Sequence, residues 1–279
     1  MFRSILVGYD DSHTARTVLR QAIDIADASS AWLQICYVED IEEPAEELLD
    51  GSVTPDEIAM PEGDIEEELQ ESAEPALDDR GPVLQEAADS CVDENIPFVT
   101  RHIFGRFGER IAGIAYFHDF VMVGQSRDVN RGQRHRVGPH ISHLLWKCPV
   151  PMLLADSEYH MPVAATLIFE NNAFGGRALR IATVLCDMLD LDLHVALAKD
   201  AAGETNSIEA EIQYAMKPHD ISWDLHTFES SLVQTVYSAN RHWEDELIVL
   251  PRPAKPWPWS TTTLDAAVSL PDAMKLVVP

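Results

Sequence analysis

The stretch VMVGQSRDVNRGQRHRVGPHISHLLWKCPVPMLLAD, residues 121–156, decides the fold of this chain. An apolar run ends at Gly124, a polar loop with four arginines follows, and Gly138 precedes a helical stretch that leads into a second apolar run. This order predicts a strand, a loop, a helix and a second strand, which is the layout of loops that bind phosphate at a helix N-terminus. The sequence therefore poses the question of whether this loop holds an anion.

Strand-like and helix-like segments alternate on both sides of this stretch. Predicted strands, which are apolar runs rich in β-branched residues, cover residues 4–9, 32–38, 97–103, 120–124 and 150–155 and then 165–170, 193–198, 221–228, 247–250 and 275–278. Predicted helices, in which apolar residues recur at helical spacing, cover residues 14–28, 82–93, 107–117 and 138–146 and then 175–190, 207–216, 231–243 and 264–269. This alternation is typical of βαβ units, so we expect an α/β fold with parallel sheets covered on both faces.

The second half of the chain repeats the order of elements in the first, which favours an internal duplication. We predict two tandem five-stranded parallel-sheet domains, residues 1–157 with an acidic insertion at about residues 39–80, and residues 160–279. Because both final strands are apolar, we expect residues 150–154 and 275–278 to meet. The halves would then pair as a dimer does, each keeping its own sheet rather than sharing a continuous one.

Negative charge is concentrated in the acidic insertion. Residues 39–79 contain eighteen carboxylates and no lysine or arginine, and the formal net charge of the whole chain is −27. Nucleic acids are bound through basic patches, so this composition argues against a nucleic-acid partner. We expect protein partners, which the sequence does not identify.

The cysteines and the hydropathy of the chain indicate its cellular compartment. The four cysteines have no C-x-x-C spacing, and most of them lie in apolar or helical surroundings, which indicates reduced, buried thiols. The opening MFRSILVGYDD lacks the basic segment, long apolar run and cleavage site of a signal peptide, and no apolar run reaches the roughly 18 residues of a membrane span. We therefore expect a cytoplasmic, soluble protein without a membrane partner.

Two stretches carry a resemblance to a known family. The segment ILVGYDDSHTARTVLRQAIDIA, residues 5–26, resembles the opening of universal stress proteins, in which a strand ends in an Asp-Gly-Ser-like turn before a long helix. Residues 124–151 resemble the ends of their signature, which begins with a glycine and closes with a Cys-Pro-Val-type final strand. With both copies counted, the whole chain resembles the tandem, E-type branch. The resemblance implies adenine nucleotide alpha hydrolase-like, Rossmann-like domains.

The middle of the signature departs from the pattern of nucleotide-binding members. There, glycines let backbone N–H groups approach phosphate oxygens, and a helix N-terminus adds partial positive charge. Here the middle glycine is replaced by Arg127, the following gap is one residue longer, and Pro139 stands at the Ser/Thr position. Proline suits the first turn of a helix, but it has neither an N–H nor a hydroxyl group to donate to a phosphate.

The resemblance implies a set of candidate site residues at the carboxyl edge of the first sheet, where open α/β folds bind ligands. The candidates for nucleotide binding are Tyr9, Asp10, Val38, Gly124, Gln125, Arg127, Gly138, Pro139 and His140. The candidates for anion binding are Arg131, Arg134 and Arg136, whose guanidinium groups could replace the missing donors. Three interpretations stay open: a solvated loop without a ligand, an arginine-bound phosphate or other anion, and ATP binding as in the family. Asp10 has the further interpretation of a helix cap or turn residue.

The corresponding stretches of the second half do not predict a phosphate site. They are residues 170–172, Glu-Asn-Asn, and LPRPAKPWPWSTTT, residues 250–263, which contains no glycine. A cluster of His135, His140 and His143 has spacing that a metal site would allow, but surface or anion-contacting histidines are the interpretation we favour. We expect no metal site.

Two function classes follow from the resemblance. The first is a non-catalytic tandem universal stress protein with a stress-response or regulatory role, acting through dimerisation as a homodimer or internal pseudo-dimer. Its nucleotide site in the first domain would be altered or vestigial, it would not be an enzyme, and no cofactor is expected, although ATP or another adenine nucleotide is the ligand that the family implies. The alternative is an ATP-binding protein with slow ATPase or nucleotide-switch activity, which would need an intact phosphate cradle.

Overall fold

The fold is that of a computed structural model. The structure describes residues 2–9, 13–39, 81–125, 139–155, 158–159, 161–198, 205–242, 247–252 and 274–279. The acidic insertion beyond Glu39 and the predicted helix at residues 264–269 therefore lie outside the described residues.

The elements follow one another in the predicted alternating order. The strands are β1 (Ser4–Tyr9), β2 (Trp32–Glu39), β3 (Phe98–Phe104), β4 (Phe120–Gly124), β5 (Met152–Ala155), β6 (Ala164–Phe169), β7 (Asp192–Ala198), β8 (Trp223–Phe228), β9 (Leu247–Pro251) and β10 (Met274–Val278). The helices are α1 (His13–Ser29), α2 (Pro82–Asp93), α3 (Phe107–Ala115), α4 (Pro139–Lys147), α5 (Ala173–Leu189), α6 (Thr205–Met216) and α7 (Leu232–His242). The predicted α/β class is confirmed, and most predicted bounds agree to within two residues.

The strands form one ten-stranded sheet in the order β3-β2-β1-β4-β5-β10-β9-β6-β7-β8. Neighbours within each half are parallel, whereas β5 and β10 pair antiparallel, with Leu153 opposite Leu276. The predicted meeting of the two final strands is therefore confirmed, but the prediction that each half keeps its own sheet is wrong. The physical reason is that β5 and β10 would each be an apolar edge strand with unpaired backbone groups, and hydrogen bonding edge to edge satisfies them.

Helices cover both faces of this sheet. One apolar layer packs α1, α2, α5 and α6 against the sheet, and the other packs α3, α4 and α7 against the opposite face. The four cysteines are free and buried in these layers, as their apolar surroundings predict. No helix among the described residues is both long and apolar enough to cross a membrane. The domain bounds, residues 1–157 and 160–279, stay a prediction.

Candidate functional site

The predicted site lies where β1, β2 and β4 end at the carboxyl edge of the first half. β1 pairs with β2 on one side and with β4 on the other, so the direction of strand order reverses at β1. Ligands of open α/β sheets bind at such a switch point. The topology therefore brings the backbones of Tyr9, Val38 and Gly124 to one edge of the sheet.

The side chains of Tyr9 and Val38 do not converge on a common ligand. Tyr9 is 1% exposed and belongs to the layer packed by α1 and α2, whereas Val38 is 7% exposed and belongs to the layer packed by α3 and α4. They lie on opposite faces because successive side chains of a strand alternate between the two faces. The two side chains are therefore buried in separate apolar layers.

Gly124 has a packing role that the sequence did not suggest. A Cβ atom at this position would lie 2.7 Å from Cγ2 of Thr14, in the first turn of α1. That distance is too short for a carbon–carbon contact, so the absence of a side chain lets α1 pack onto the end of β4. A close approach of backbone to phosphate is thus not needed to explain this glycine.

Gln125 is contacted by a residue from the other half of the chain. Its backbone N–H donates to the carbonyl oxygen of Ala155 at 2.9 Å, and its side-chain Oε1 accepts a hydrogen bond from Nζ of Lys275 at 2.7 Å. Lys275 is in β10 and is 0% exposed. Sequence analysis missed Lys275, although a lysine inside the apolar run MKLVV was a visible signal, because buried lysines generally have polar partners.

In the second half, the position equivalent to Gln125 is Arg252, which directly follows β9. Its backbone N–H donates to the carbonyl oxygen of Val278 at 2.7 Å, as Gln125 does to Ala155. Its Nη1 donates across the junction to the carbonyl oxygens of Cys148 and Leu145, at the C-terminal end of α4. This guanidinium therefore caps a helix of the first half, where the partial charge of the helix dipole is negative.

The turn between β6 and α5 is closed by its own atoms. The Oδ1 atom of Asn172 accepts hydrogen bonds from the backbone N–H groups of Phe174 and Gly175, both at 2.9 Å, and so caps α5. A Cβ atom on Gly175 would collide with the carbonyl oxygen of Glu170. The amide groups with which a helix N-terminus binds anions are here used by the side chain of Asn172.

A sequence model of the universal stress protein family matches residues 1–156, more than half of the chain. The chain belongs to the universal stress protein family. No curated protein matches the sequence significantly.

Solved structures show the same fold as this universal stress protein. A universal stress protein from Archaeoglobus fulgidus DSM 4304 aligns with a TM-score of 0.72 at 15% identity, over 99% of this chain and 97% of that one. A functionally unknown protein from Pseudomonas aeruginosa PAO1 aligns with a TM-score of 0.60 at 15% identity, over 99% of this chain and 92% of that one. A universal stress protein solved in complex with cAMP aligns over 56% of this chain and 98% of that one at 16% identity, with a TM-score of 0.36.

Several predicted site residues of this universal stress protein lie outside the described residues. They are Asp10, Arg127, Arg131, Arg134, Arg136 and Gly138, together with His135 of the histidine cluster. Pro139 is the first residue of α4, as expected for proline at a helix start, and His140 follows it. Among the residues that the structure describes, no three His, Cys, Asp or Glu side chains are grouped to hold a metal ion.

A cavity of about 230 Å³ lies between α1 and α2 in this universal stress protein. It is lined by Tyr9, Leu19 and Ile23 together with charged side chains of both helices. Nε and Nη2 of Arg16 donate to the two carboxylate oxygens of Glu86 at 2.9 and 3.1 Å, which ties α1 to α2. The volume is below the roughly 300–1,000 Å³ of small-molecule pockets, and the charged lining residues Arg16 and Glu86 pair with each other, so this cavity is a poor candidate for a nucleotide site.

Proposed function

We propose that this chain is a tandem, E-type universal stress protein whose second half takes the place of a second subunit. The antiparallel pairing of β5 with β10 carries the proposal, because it joins two halves with the same order of elements through their final strands. The chain would act in stress response or its regulation through contacts with other proteins and would not be an enzyme.

We further propose that an adenine nucleotide binds weakly at the first half and not at all at the second. In the first half, the buried side chains of Tyr9 and Val38 lie on opposite faces, and the amide oxygen of Gln125 is engaged by Lys275. Pro139 offers no N–H at the start of α4. In the second half, Asn172 occupies the amide groups of α5 with its own side chain.

A designed cross-link tests the internal pairing. Leu153 and Leu276 are directly opposite in the antiparallel pair, so Leu153→Cys with Leu276→Cys places two cysteines at a separation that a disulfide spans. We expect a disulfide within one chain, identified by peptide mass spectrometry and by monomer mobility on a non-reducing gel. Leu153→Cys alone is the matched control. A covalently linked dimer from the double variant would show that the halves pair between chains and would overturn the proposal.

Calorimetric titration tests the ligand proposal. We expect a dissociation constant for ATP no tighter than about 100 μM, equivalent to about 5.5 kcal/mol of binding free energy. The double variant Arg127→Gly with Pro139→Ser should bind ATP more tightly if the missing backbone donors are the cause. A micromolar constant for the unmodified protein, accompanied by ATP hydrolysis, would favour the alternative of an ATP-dependent switch instead.

A further inference from the structure

The turn between α3 and β4, residues 116–119, carries a buried histidine directly after two exposed aromatic side chains. Tyr116 is 72% exposed and Phe117 is 65% exposed, whereas His118 is 6% exposed. The ring centroid of His118 lies 5.4 Å from that of Trp32, the first residue of β2. His118 therefore anchors this turn to the sheet of the first half.

The hydrogen bonding of His118 fixes its tautomer. The Nδ1 atom lies 3.2 Å from the carbonyl oxygen of Ile114, and a carbonyl oxygen only accepts, so Nδ1 carries the proton and Nε2 a lone pair. The Nε2 atom is buried and has no hydrogen-bond partner among the residues that the structure describes. The neutral imidazole thus leaves one acceptor unpaired, whereas the imidazolium would leave a buried N–H donor unpaired.

Two charged side chains act on His118 from the elements around it. The positive charge of Arg101 in β3 opposes protonation, and the negative charge of Asp119, the next residue of the turn, favours it. The Oδ2 atom of Asp119 accepts hydrogen bonds from the backbone N–H groups of Arg3 and Ser4 at 2.8 and 3.2 Å, and from the Ser4 hydroxyl at 3.2 Å. This carboxylate oxygen therefore binds the start of β1 and not the imidazole.

We propose that His118 is an acid-sensitive anchor: the neutral imidazole holds the turn of residues 116–119 closed, and its protonation releases the turn with Tyr116 and Phe117. A buried imidazolium would have an N–H without an acceptor at Nε2 and would lie near the cation Arg101, and both are unfavourable away from water. Opening of the turn brings the imidazolium into water and removes both costs. The two exposed aromatic side chains thus keep a fixed position at neutral pH and lose it in acid.

The pKa of His118 gives the direction of this response. Burial lowers this pKa below its usual value of 6.5, and Arg101 lowers it further, against the hydrogen bond to Ile114 and the charge of Asp119. The opened turn therefore binds a proton near pH 6.5, whereas the closed turn binds it only at lower pH. The closed turn keeps its full stability above pH 6.5 and loses it progressively as the pH falls from there through the closed-state pKa.

Other contacts keep the release local. The backbone N–H of Asp119 donates to the carbonyl oxygen of Ser4 at 3.1 Å, and β4 pairs with β1 directly beyond it, so the start of β4 is held without His118. Within the turn, the N–H groups of Phe117 and His118 donate to the carbonyl oxygens of Ile114 and Ala115, both at 3.1 Å. In acid these two amide groups should lose protection from solvent, while those of β1 keep it.

Hydrogen exchange of the full-length chain at about pH 7.5 and about pH 5.5, expressed as protection factors, tests the anchor. Because the response takes up one proton, we expect the protection of the Phe117 and His118 amides to fall between about threefold and about tenfold, with β1 unchanged. His118→Asn does not titrate, and its Nδ2 donor can still reach the carbonyl oxygen of Ile114, so it should show no such fall. His219→Asn, which removes a histidine paired with Asp187 in the second half, is the control and should respond like the unmodified chain.

Equal protection of the turn at the two pH values would overturn the proposal, and so would an undiminished fall in His118→Asn. A fall of the same size in β1 would show that acid opens the whole half and would overturn the local release. The titration of His118 covers the case in which His118→Asn does not fold. Deuterium exchange at the imidazole C2 position of the unmodified chain, followed by mass spectrometry, should titrate with a midpoint below about 6.5, and a midpoint at or above that value would contradict the proposal.

Discussion

The carboxyl edges of the two halves have the same strands in the same order but are filled by different atoms. In the first half, β4 ends at Gly124, and the side chain of the next residue, Gln125, accepts a hydrogen bond from Lys275 of the other half. In the second half, the carbonyl oxygen of Glu170 fills the space beside Gly175, and Asn172 caps the helix. The comparison teaches that two halves can share one backbone plan, which their apolar cores maintain, while the polar residues at the sheet edge differ between them.

The largest expected effect comes from breaking the closed turn of the second half. Gly175→Ala would drive a methyl group into the carbonyl oxygen of Glu170, so α5 must shift or the turn must open. We expect a loss of about 3 kcal/mol or more in the free energy of unfolding, measured by urea titration with circular dichroism. The matched control is Gly176→Ala, whose Cβ would meet only Oε1 of the Glu211 side chain at 3.2 Å. Equal effects of the two substitutions would contradict the idea of a closed turn.

A smaller effect is expected at a close approach in the first half, at the end of β4. Gly124→Ala places a Cβ atom 2.7 Å from Cγ2 of Thr14, and we expect a loss of about 1–3 kcal/mol in the free energy of unfolding. Thr14→Ser removes Cγ2, so the double variant should regain most of that stability. If Thr14→Ser gives no rescue, packing against α1 is not the reason for this glycine.

The cap of α5 should contribute less to the free energy of unfolding than either glycine does. Asn172→Ala removes the acceptor of two backbone N–H groups, and the usual cost of losing such a cap is about 1 kcal/mol. Thermal unfolding followed by circular dichroism measures it, with Asn171→Ala in the same turn as the control. A cost no larger than that of the control would show that the amide groups of α5 are satisfied without Asn172.

The smallest expected effect is a pH dependence of the folding stability, which arises from Glu170 in the second half. Burial raises the pKa of Glu170 above its usual value of 4.5, against the opposing hydrogen bond from Asn172. The folded state therefore holds a proton that the unfolded state has already lost, and the contribution of this group to stability declines as the pH rises from about 4.5 through the folded-state pKa.

Glu170→Gln should remove this part of the pH dependence, because a glutamine keeps an acceptor for Asn172 and does not titrate. The measurement is the urea unfolding midpoint at a series of pH values between 4 and 7. Glu209→Gln, at an exposed position of α6, is the control. A pH profile that Glu170→Gln leaves unchanged would show that the half-buried carboxylate of Glu170 does not contribute to the pH dependence of stability.

Elements with strong local patterns could be predicted from the sequence closely. The bounds of β1 and α2 agree with their predictions residue for residue, because a short apolar run and a helical period followed by polar residues are signals contained within the segment itself. The repeated order also indicated correctly that the final strands meet. The class of fold followed from these local signals.

The details of the site depended on contacts between distant parts of the chain. Tyr9 and Val38 were predicted at one edge, but only the packing of α1 and α3 on opposite faces of the sheet separated their side chains. Gly124 had the residue type that a phosphate loop needs, yet its structural neighbour is Thr14. Such contacts join residues far apart in sequence, so the local periodicity of apolar residues cannot predict them.

The sequence by itself determined that this chain alternates strands and helices in the same order in its two halves, because each strand and helix must bury its own apolar residues. The tertiary structure alone decided that the halves share one sheet and that Lys275 meets Gln125 across their junction. The physical reason is that an edge strand has unpaired hydrogen-bonding groups whatever its sequence, and the identity of the strand that satisfies them depends on how the whole chain has already packed.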